Sequence, residues 1–507
     1  MMGVSTYANT EWTELGQDNG LDPLAMLRPT EALYQSLLPG ISTVTLRLRY
    51  YSFFAWMLQV WARGGSTSPQ EFQLFQRKAE VIFALVGVSG DYETGLAGST
   101  WAHQAWESGR DPINISEIAD PAAAKRYLQN SRGAYGAIYA SQMKESGLVA
   151  SAANHSLDVL TGRGVELADA FESDMAPALN IFIDALRKGQ ITRNQIQELQ
   201  VLKPSAVPDK GRERVLLQRL LVGPQDNETE SDIARALTMN LILKTTSEVG
   251  KRPSPAQLKW HWYREAHALV TGKNGGTQVL KLWGLYHAND LLRLSYELLL
   301  KRALNILQML PTKGCSTSRL ISLICDDIDS PETHWEKFVS DLPQPAATAI
   351  EEELTVALER QGASKAATDD KTVNNCLKLL AMAYKYGVNA SELVSASFPT
   401  ATPFQSLSTE IPYLQALNGI SLESITSRLV RDRILMRHLW VAAKKLRKQK
   451  AYTYLFDIDD GSLRFRDGFV ASLSNPRLSQ AMTFLDDAGL LAGEYGSVQH
   501  NRVNELR

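Results

Sequence analysis

The stretch from residue 278 to 310 sets the terms for the rest of the chain. Leu280, Leu282, Leu285, Leu291, Leu292, Leu294, Leu298, Leu299 and Leu300 recur around most of a helix's circumference, and Gly284 weakens the pattern without ending it. A helix that is apolar on most sides has to be buried on most sides. With no strong strand-like alternation around it, this run predicts a helical core. The fold expected is mainly α.

Residues 43–61 make the same demand nearer the N-terminus, with Val44, Leu48, Tyr51, Phe54, Trp56, Leu58 and Trp61 on a broad aromatic surface. Ser68-Pro69-Gln70-Glu71 then offers an N-cap, a proline at the first helical position and a capping-box glutamate, opening a helix that runs to Gly87. At about 150 residues per domain, 507 residues suggest roughly three. The divisions expected are an N-terminal helical domain (1–175), a helical middle domain (176–410) and a C-terminal domain (411–507). Apolar residues at 44% and charged residues at 21% exclude a disordered or fibrous chain.

Two stretches depart from the all-helical pattern. In the first, a helix over 122–128 and another over 135–146 end in KESGLVAS; a strand-like run at 157–160 follows, and Thr161 caps a helix over 164–171. In the second, an amphipathic helix over 421–449 carries Leu422, Ile425, Leu429, Met436, Leu439, Trp440, Ala443 and Leu446 on one stripe. Strands at 452–456 and 463–465 flank the hairpin signal Asp459-Asp460-Gly461. A helix over 477–488 then ends in DDAGLLAG, echoing KESGLVAS, and two short strands about 493–496 form a wing. Helix, "GLV" and hairpin in this order resemble winged-helix regulators. Winged-helix-like α+β units are therefore expected near 121–172 and at the C-terminus.

The N-terminus lacks the basic and apolar regions of a secretory signal. The most lipid-like run, 50–62, is too short to cross about 30 Å of hydrocarbon as a helix. Three cysteines without a CxxC spacing are too few for a disulfide framework or a structural zinc site. A cytoplasmic chain without a membrane partner is expected.

The common catalytic patterns fail one by one. Gly272-Lys273 lacks the earlier glycine and the following Ser/Thr of a phosphate loop. In the DIDDG hairpin, glycine falls at the fifth position and Gly468 stands where a calcium loop needs glutamate. GVSG at 87–90 lacks the last glycine of a nucleophile elbow, and there is no HExxH. The acidic groups Asp326, Asp327 and Asp329, Glu351–Glu353, and Asp457, Asp459 and Asp460 would make a two-metal nuclease only by converging in the fold. His287, Asp290, Arg293 and Glu297 lie along one helix, where an ion pair is the simpler reading. Arg47 and Arg49 are expected to pair with acids elsewhere. No metal or cofactor is implied.

Charge clusters in one place. Arg428, Arg431, Arg433, Arg437, Lys444, Lys445, Arg447, Lys448 and Lys450 stand against the single acid Asp432, in a chain whose net charge is −2. Opposite the apolar stripe, Arg431, Arg437, His438, Lys444, Lys445 and Lys448 share a helical face fit to neutralise phosphates. In the last helix, Arg477 and Gln480 are of the types that read base edges. Duplex DNA is the ligand expected, with docking onto an acidic protein as the rival.

Residues 21–58 contain LLPGISTVTLRLRYYSFFAW, which resembles the LxPGxSxxTxRxRYYxFxxW block of an uncharacterised bacterial family. Residues 437–491 resemble the C-terminal part of similar proteins, a group associated with defence islands that encode helicases and nucleases. The resemblance covers a small part of the chain and carries no catalytic motif. It implies a context, bacterial antiviral (anti-phage) defence, and not a reaction. Taken with the basic run, the function expected is a non-catalytic nucleic-acid-binding subunit of such a system, acting with a separate nuclease or helicase and other subunits. The alternatives are a metal-dependent nuclease assembled only in the fold, and a protein-only scaffold.

Overall fold

A computed structural model describes residues 22–45, 47–90, 95–124, 126–152, 156–223, 229–272, 277–342, 354–356, 368–398, 404–449, 451–492 and 497–498. The protein is mainly α, and its described strands form sheets of only two or three strands. It divides into two units. An aromatic unit gathers the described residues of 34–261, 278–280 and 475–507, and a leucine unit those of 1–33, 262–277 and 281–474. Each is assembled from segments far apart in sequence. The domain limits expected at 175 and 410 do not coincide with these units: one falls inside the continuous helix Gly162–Lys188, the other inside Leu407–Gln415. Pro177 lies within the first of these helices, where proline removes a hydrogen bond but does not end the helix.

The aromatic unit is built around the helix Arg49–Arg63, buried from Arg49 to Gln59. Ring packing fixes it against its neighbours. Phe53 stacks on Phe83 of the helix Pro69–Val88 at 4.0 Å, and Trp56 meets Phe171 and Phe182 of Gly162–Lys188 at 6.0 and 5.4 Å. The start signal at Ser68 holds, since its side chain accepts the Glu71 N–H.

The distinctive N-terminal block has a structural explanation residue by residue. Arg49 is fully buried against Glu213 at 3.0 Å and donates further to the carbonyls of Val201, Lys203 and Ala206. Arg47 pairs with Asp487 at 2.7 Å, Tyr51 donates to the Gly40 carbonyl, and the Thr45 hydroxyl closes the turn at Ser42. The pairing expected of Arg47 and Arg49 is found.

The echoed sequences also share a backbone design within this unit. The helix Ala140–Glu145 turns at Gly147 (φ +68°), with Leu148 N–H bonded to the Met143 carbonyl, and enters the strand Val149–Ser151. The helix Leu478–Asp487 turns at Gly489 (φ +68°), with Leu490 N–H bonded to the Leu485 carbonyl, and enters Leu491–Ala492. Glycine adopts this left-handed conformation without steric cost, so both helices stop at the same letter. Val149–Ser151 pairs antiparallel with Asp158–Leu160, and Leu491–Ala492 with Ser497–Val498. Thr161 caps the helix that follows the first hairpin. The helix expected at 122–128 is absent: its described residues form turns and loop, closed by Asp120 accepting the Ala122 N–H. The rest of the wing expected about 493–496 lies outside the described residues.

In the leucine unit the helix Gln278–Met309 supplies the core from residue 281 onward. Leu285, Leu291, Leu292, Leu294, Leu298, Leu299 and Leu300 are each at most 1% exposed. Several of its buried polar side chains bind its neighbours. Ser295 donates to the Cys376 carbonyl at 2.9 Å, Tyr296 to Glu410 at 2.8 Å, and Asn289 bridges Thr30 and the Leu407 N–H. The hairpin expected at Asp459-Asp460-Gly461 forms between Phe456–Asp459 and Ser462–Phe465. A third strand, Gly314–Ser316, joins its edge from far away in sequence.

Candidate nucleic-acid interface

The basic run is three helical segments end to end: Leu422–Arg428, a π-helical stretch Leu429–Leu435, and Met436–Gln449. Ser421 caps the start by accepting the Ser424 N–H. In the π stretch the Met436 N–H bonds back to the Arg431 carbonyl, five residues earlier, so one extra residue enters the turn. Everything downstream is rotated by about 100° relative to an uninterrupted α-helix.

The buried face differs on the two sides of this stretch. Leu422, Ile425 and Leu429 are buried as the stripe requires, but at the end of the π stretch Ile434 and Leu435 are buried, and beyond it His438, Val441 and Ala442. Met436, Trp440 and Leu446, expected inside, are 60%, 43% and 39% exposed. The apolar stripe and the cationic face have partly exchanged places.

The expected phosphate-binding side chains therefore separate into two groups. Three are committed to the chain's own N-terminal segment: Arg437 donates to the Leu24 carbonyl at 2.9 Å, His438 to the Pro23 carbonyl at 3.1 Å, and Lys445 to the Asp22 carbonyl at 3.0 Å. His438 is 1% exposed, and its Nε2 accepts the Leu455 N–H at 3.0 Å, which assigns the proton to Nδ1. Burial pushes its pKa down to about 4. It is corrected from phosphate ligand to neutral core residue. Burial likewise holds Arg437 and Lys445 below their ordinary values.

The other group faces solvent. Arg431 and Lys448 of the expected set are exposed, Arg431 beside Asp432 at 2.7 Å, Lys444 is half-buried, and Arg428 and Arg447 of the same basic run are exposed as well. Lys444 places its ammonium 4.7 Å from the centre of the Trp440 ring, and the Arg437 guanidinium lies 4.5 Å from the same centre. Arg428 and Arg431 line a shallow cleft with Tyr413, Ser424, Ser427 and Asp432. Beyond the helix, Tyr452 is 51% exposed with Arg466 at 4.0 Å over its ring and Tyr454 at 5.0 Å beside it. Sequence periodicity misses Trp440 and Met436 as surface residues because nothing in the letters announces a π turn. The aromatic spacing of Tyr452 and Tyr454 is legible, but on its own it signals no more than strand-like alternation.

In the aromatic unit, Arg477 and Gln480 are engaged at home. Arg477 sits at φ +67° as the residue before the last helix, donates to the Ile41 carbonyl, and lies 5.5 Å from the Tyr34 ring centre. Gln480 donates to the Thr43 carbonyl at 3.1 Å. Both side chains tie the last helix to the loop that leads into the aromatic helix, so as placed they do not offer base-reading groups.

The acidic groups are dispersed. Asp327 is bonded by Arg302 at 2.8 and 3.1 Å, Asp457 by Tyr452 at 2.9 Å, and Asp459 by Arg464 at 3.0 Å. Among the described residues, none of Asp326, Asp327, Asp329, Asp457, Asp459 and Asp460 joins a group of three able to share a metal ion. Glu351–Glu353 lies outside the described residues. Arg293 forms a buried triad with Asp290 at 2.8 Å and Glu297 at 2.7 Å, and Asp290 also accepts from the Ser474 N–H and hydroxyl. Burial pushes Glu297 up to about 7. The triad clamps residues 472–474 onto the central helix. No helix of the described residues is long and apolar enough to cross a membrane. Compared with protein-family models, curated proteins and solved structures, the chain matches none of them.

Proposed function

We propose that the protein is a nucleic-acid-binding subunit of a bacterial antiviral defence system, working in the cytoplasm beside a separate nuclease or helicase. The observation that carries the binding half is the exposed set Arg428, Arg431, Arg447 and Lys448, together with half-buried Lys444 and exposed Trp440. Cations in a row release counterions when they meet phosphates, and that supplies affinity without sequence preference. The defence half rests on the resemblance of the N-terminal block and the C-terminal stretch. The three cysteines are free thiols, as suits a reducing compartment.

The test separates the exposed cations from the committed ones. A variant with Arg428→Gln, Lys444→Gln, Arg447→Gln and Lys448→Gln should stay folded and lose at least about tenfold in affinity for every nucleic acid alike, measured by fluorescence anisotropy at fixed salt. Unchanged affinity would contradict the proposal. A second reading, docking on an acidic protein partner, is favoured by the 60% and 39% exposure of Met436 and Leu446, apolar groups that phosphates do not reward.

A further inference from the structure

We infer that the strand this surface holds is unpaired: a single strand of DNA or RNA whose bases stack on Trp440 and Tyr452. The inference rests on the nucleic-acid reading above and names its substrate class.

Duplexes hide the faces of their bases in the stack and offer proteins phosphates and groove edges. A flat ring laid open among cations has nothing to stack on there. Single strands offer both partners at once, since every base has a free π-face and a phosphate beside it. Trp440 is 43% exposed and Tyr452 51%, and each carries a cation within 5 Å of its ring centre: Arg437 and Lys444 on the first, Arg466 on the second. Buried rings in this protein pack on other rings, as Phe53 does on Phe83, whereas the Trp440 indole is partnered by charge.

The two cations on Trp440 differ in a useful way. Arg437 is fixed by its bond to the Leu24 carbonyl, so its guanidinium stays at the ring. Lys444 ends in a flexible stem, so a base arriving on the indole displaces the ammonium, which then meets the flanking phosphate. Arg447 and Lys448, exposed on the following turn, extend the phosphate track. Tyr452, with Tyr454 at 5.0 Å, supplies a second stacking position. Reading the sequence of a duplex would need polar side chains free on an exposed recognition helix, and Arg477 and Gln480 are bonded to the carbonyls of Ile41 and Thr43 instead.

The experiment measures binding of the full chain to a labelled oligonucleotide of roughly 20 nucleotides without self-complementarity, as single-stranded DNA, as single-stranded RNA, and annealed to its complement. Wild type should bind at least one single strand about tenfold or more tighter than the duplex at equal salt. Trp440→Ala should weaken single-strand binding by about five- to hundredfold and duplex binding by a much smaller factor, while Trp440→Phe keeps most of the single-strand affinity. Tyr452→Ala should have a smaller effect in the same direction. Circular dichroism and melting show that each variant is folded. Equal or tighter duplex binding, or single-strand binding insensitive to both Trp440→Ala and Tyr452→Ala, overturns the inference and leaves the nucleic-acid reading standing. Failure of folded wild type to bind any of the three overturns both.

Discussion

The helix Met436–Gln449 in the leucine unit and the helix Leu478–Asp487 in the aromatic unit start from the same kind of sequence pattern. Each has an apolar face, and each has cationic or amide side chains opposite it. In the later helix the apolar face holds: Leu478, Ala481, Met482 and Leu485 are all buried. Its polar groups are nevertheless spent, Arg477 and Gln480 on loop carbonyls and Asp487 on Arg47 and the Leu48 N–H. In the earlier helix the apolar face fails: the buried positions change across the π stretch before it, and Met436 and Trp440 lie in solvent. That failure is what leaves Trp440 among cations. The difference teaches that a helical wheel locates a binding face only if two things hold: the helix is continuous, and the polar side chains have no carbonyl closer to hand than a ligand.

If the later helix is structural, its charges are worth stability and not affinity. Asp487→Ala removes the carboxylate that accepts from Arg47 and from the buried Leu48 N–H, and should destabilise the protein by about 1–3 kcal/mol in denaturant unfolding. A loss within about 0.5 kcal/mol, the size expected for an exposed position, would break the comparison on that side.

His438 sharpens the other side, since it assigns one member of the basic run to the core. Its folded pKa lies near 4, below the ordinary value of 6.5. Between those values the unfolded chain binds a proton that the folded protein refuses, so stability falls as pH drops from about 6.5 toward 4, by up to about 3 kcal/mol. His438→Asn removes this dependence. The gap in melting temperature between wild type and variant should therefore narrow as pH falls; a constant gap would return His438 to the surface.

What the sequence makes legible follows a physical line. Local signals are readable because they are complete within a few residues: the Ser68 and Thr161 caps, the Asp459-Asp460-Gly461 hairpin, and the glycines that stop the two echoed helices. The leucine-rich helix is readable because its burial is written around its whole circumference. Non-local choices are not. The strand Gly314–Ser316 exists only because the hairpin has an open edge, and the residues at 22–24 are defined by the side chains of Arg437, His438 and Lys445 that hold their carbonyls. The same is true of the candidate site. Its charge is plain, but which cations face solvent depends on how the helix packs on either side of the π stretch.

In the proposed function, exposed cations of the basic run, and not the side chains of the last helix, meet phosphates. The most direct measurement is the slope of log affinity against log salt for single-stranded nucleic acid, taken on wild type and two folded variants. Arg447→Gln with Lys448→Gln should flatten the slope by about 0.7 for each phosphate no longer neutralised. Arg477→Gln with Gln480→Ala should lower the melting temperature and leave the slope where it was. A slope unmoved by the first pair, or flattened by the second, would contradict the account.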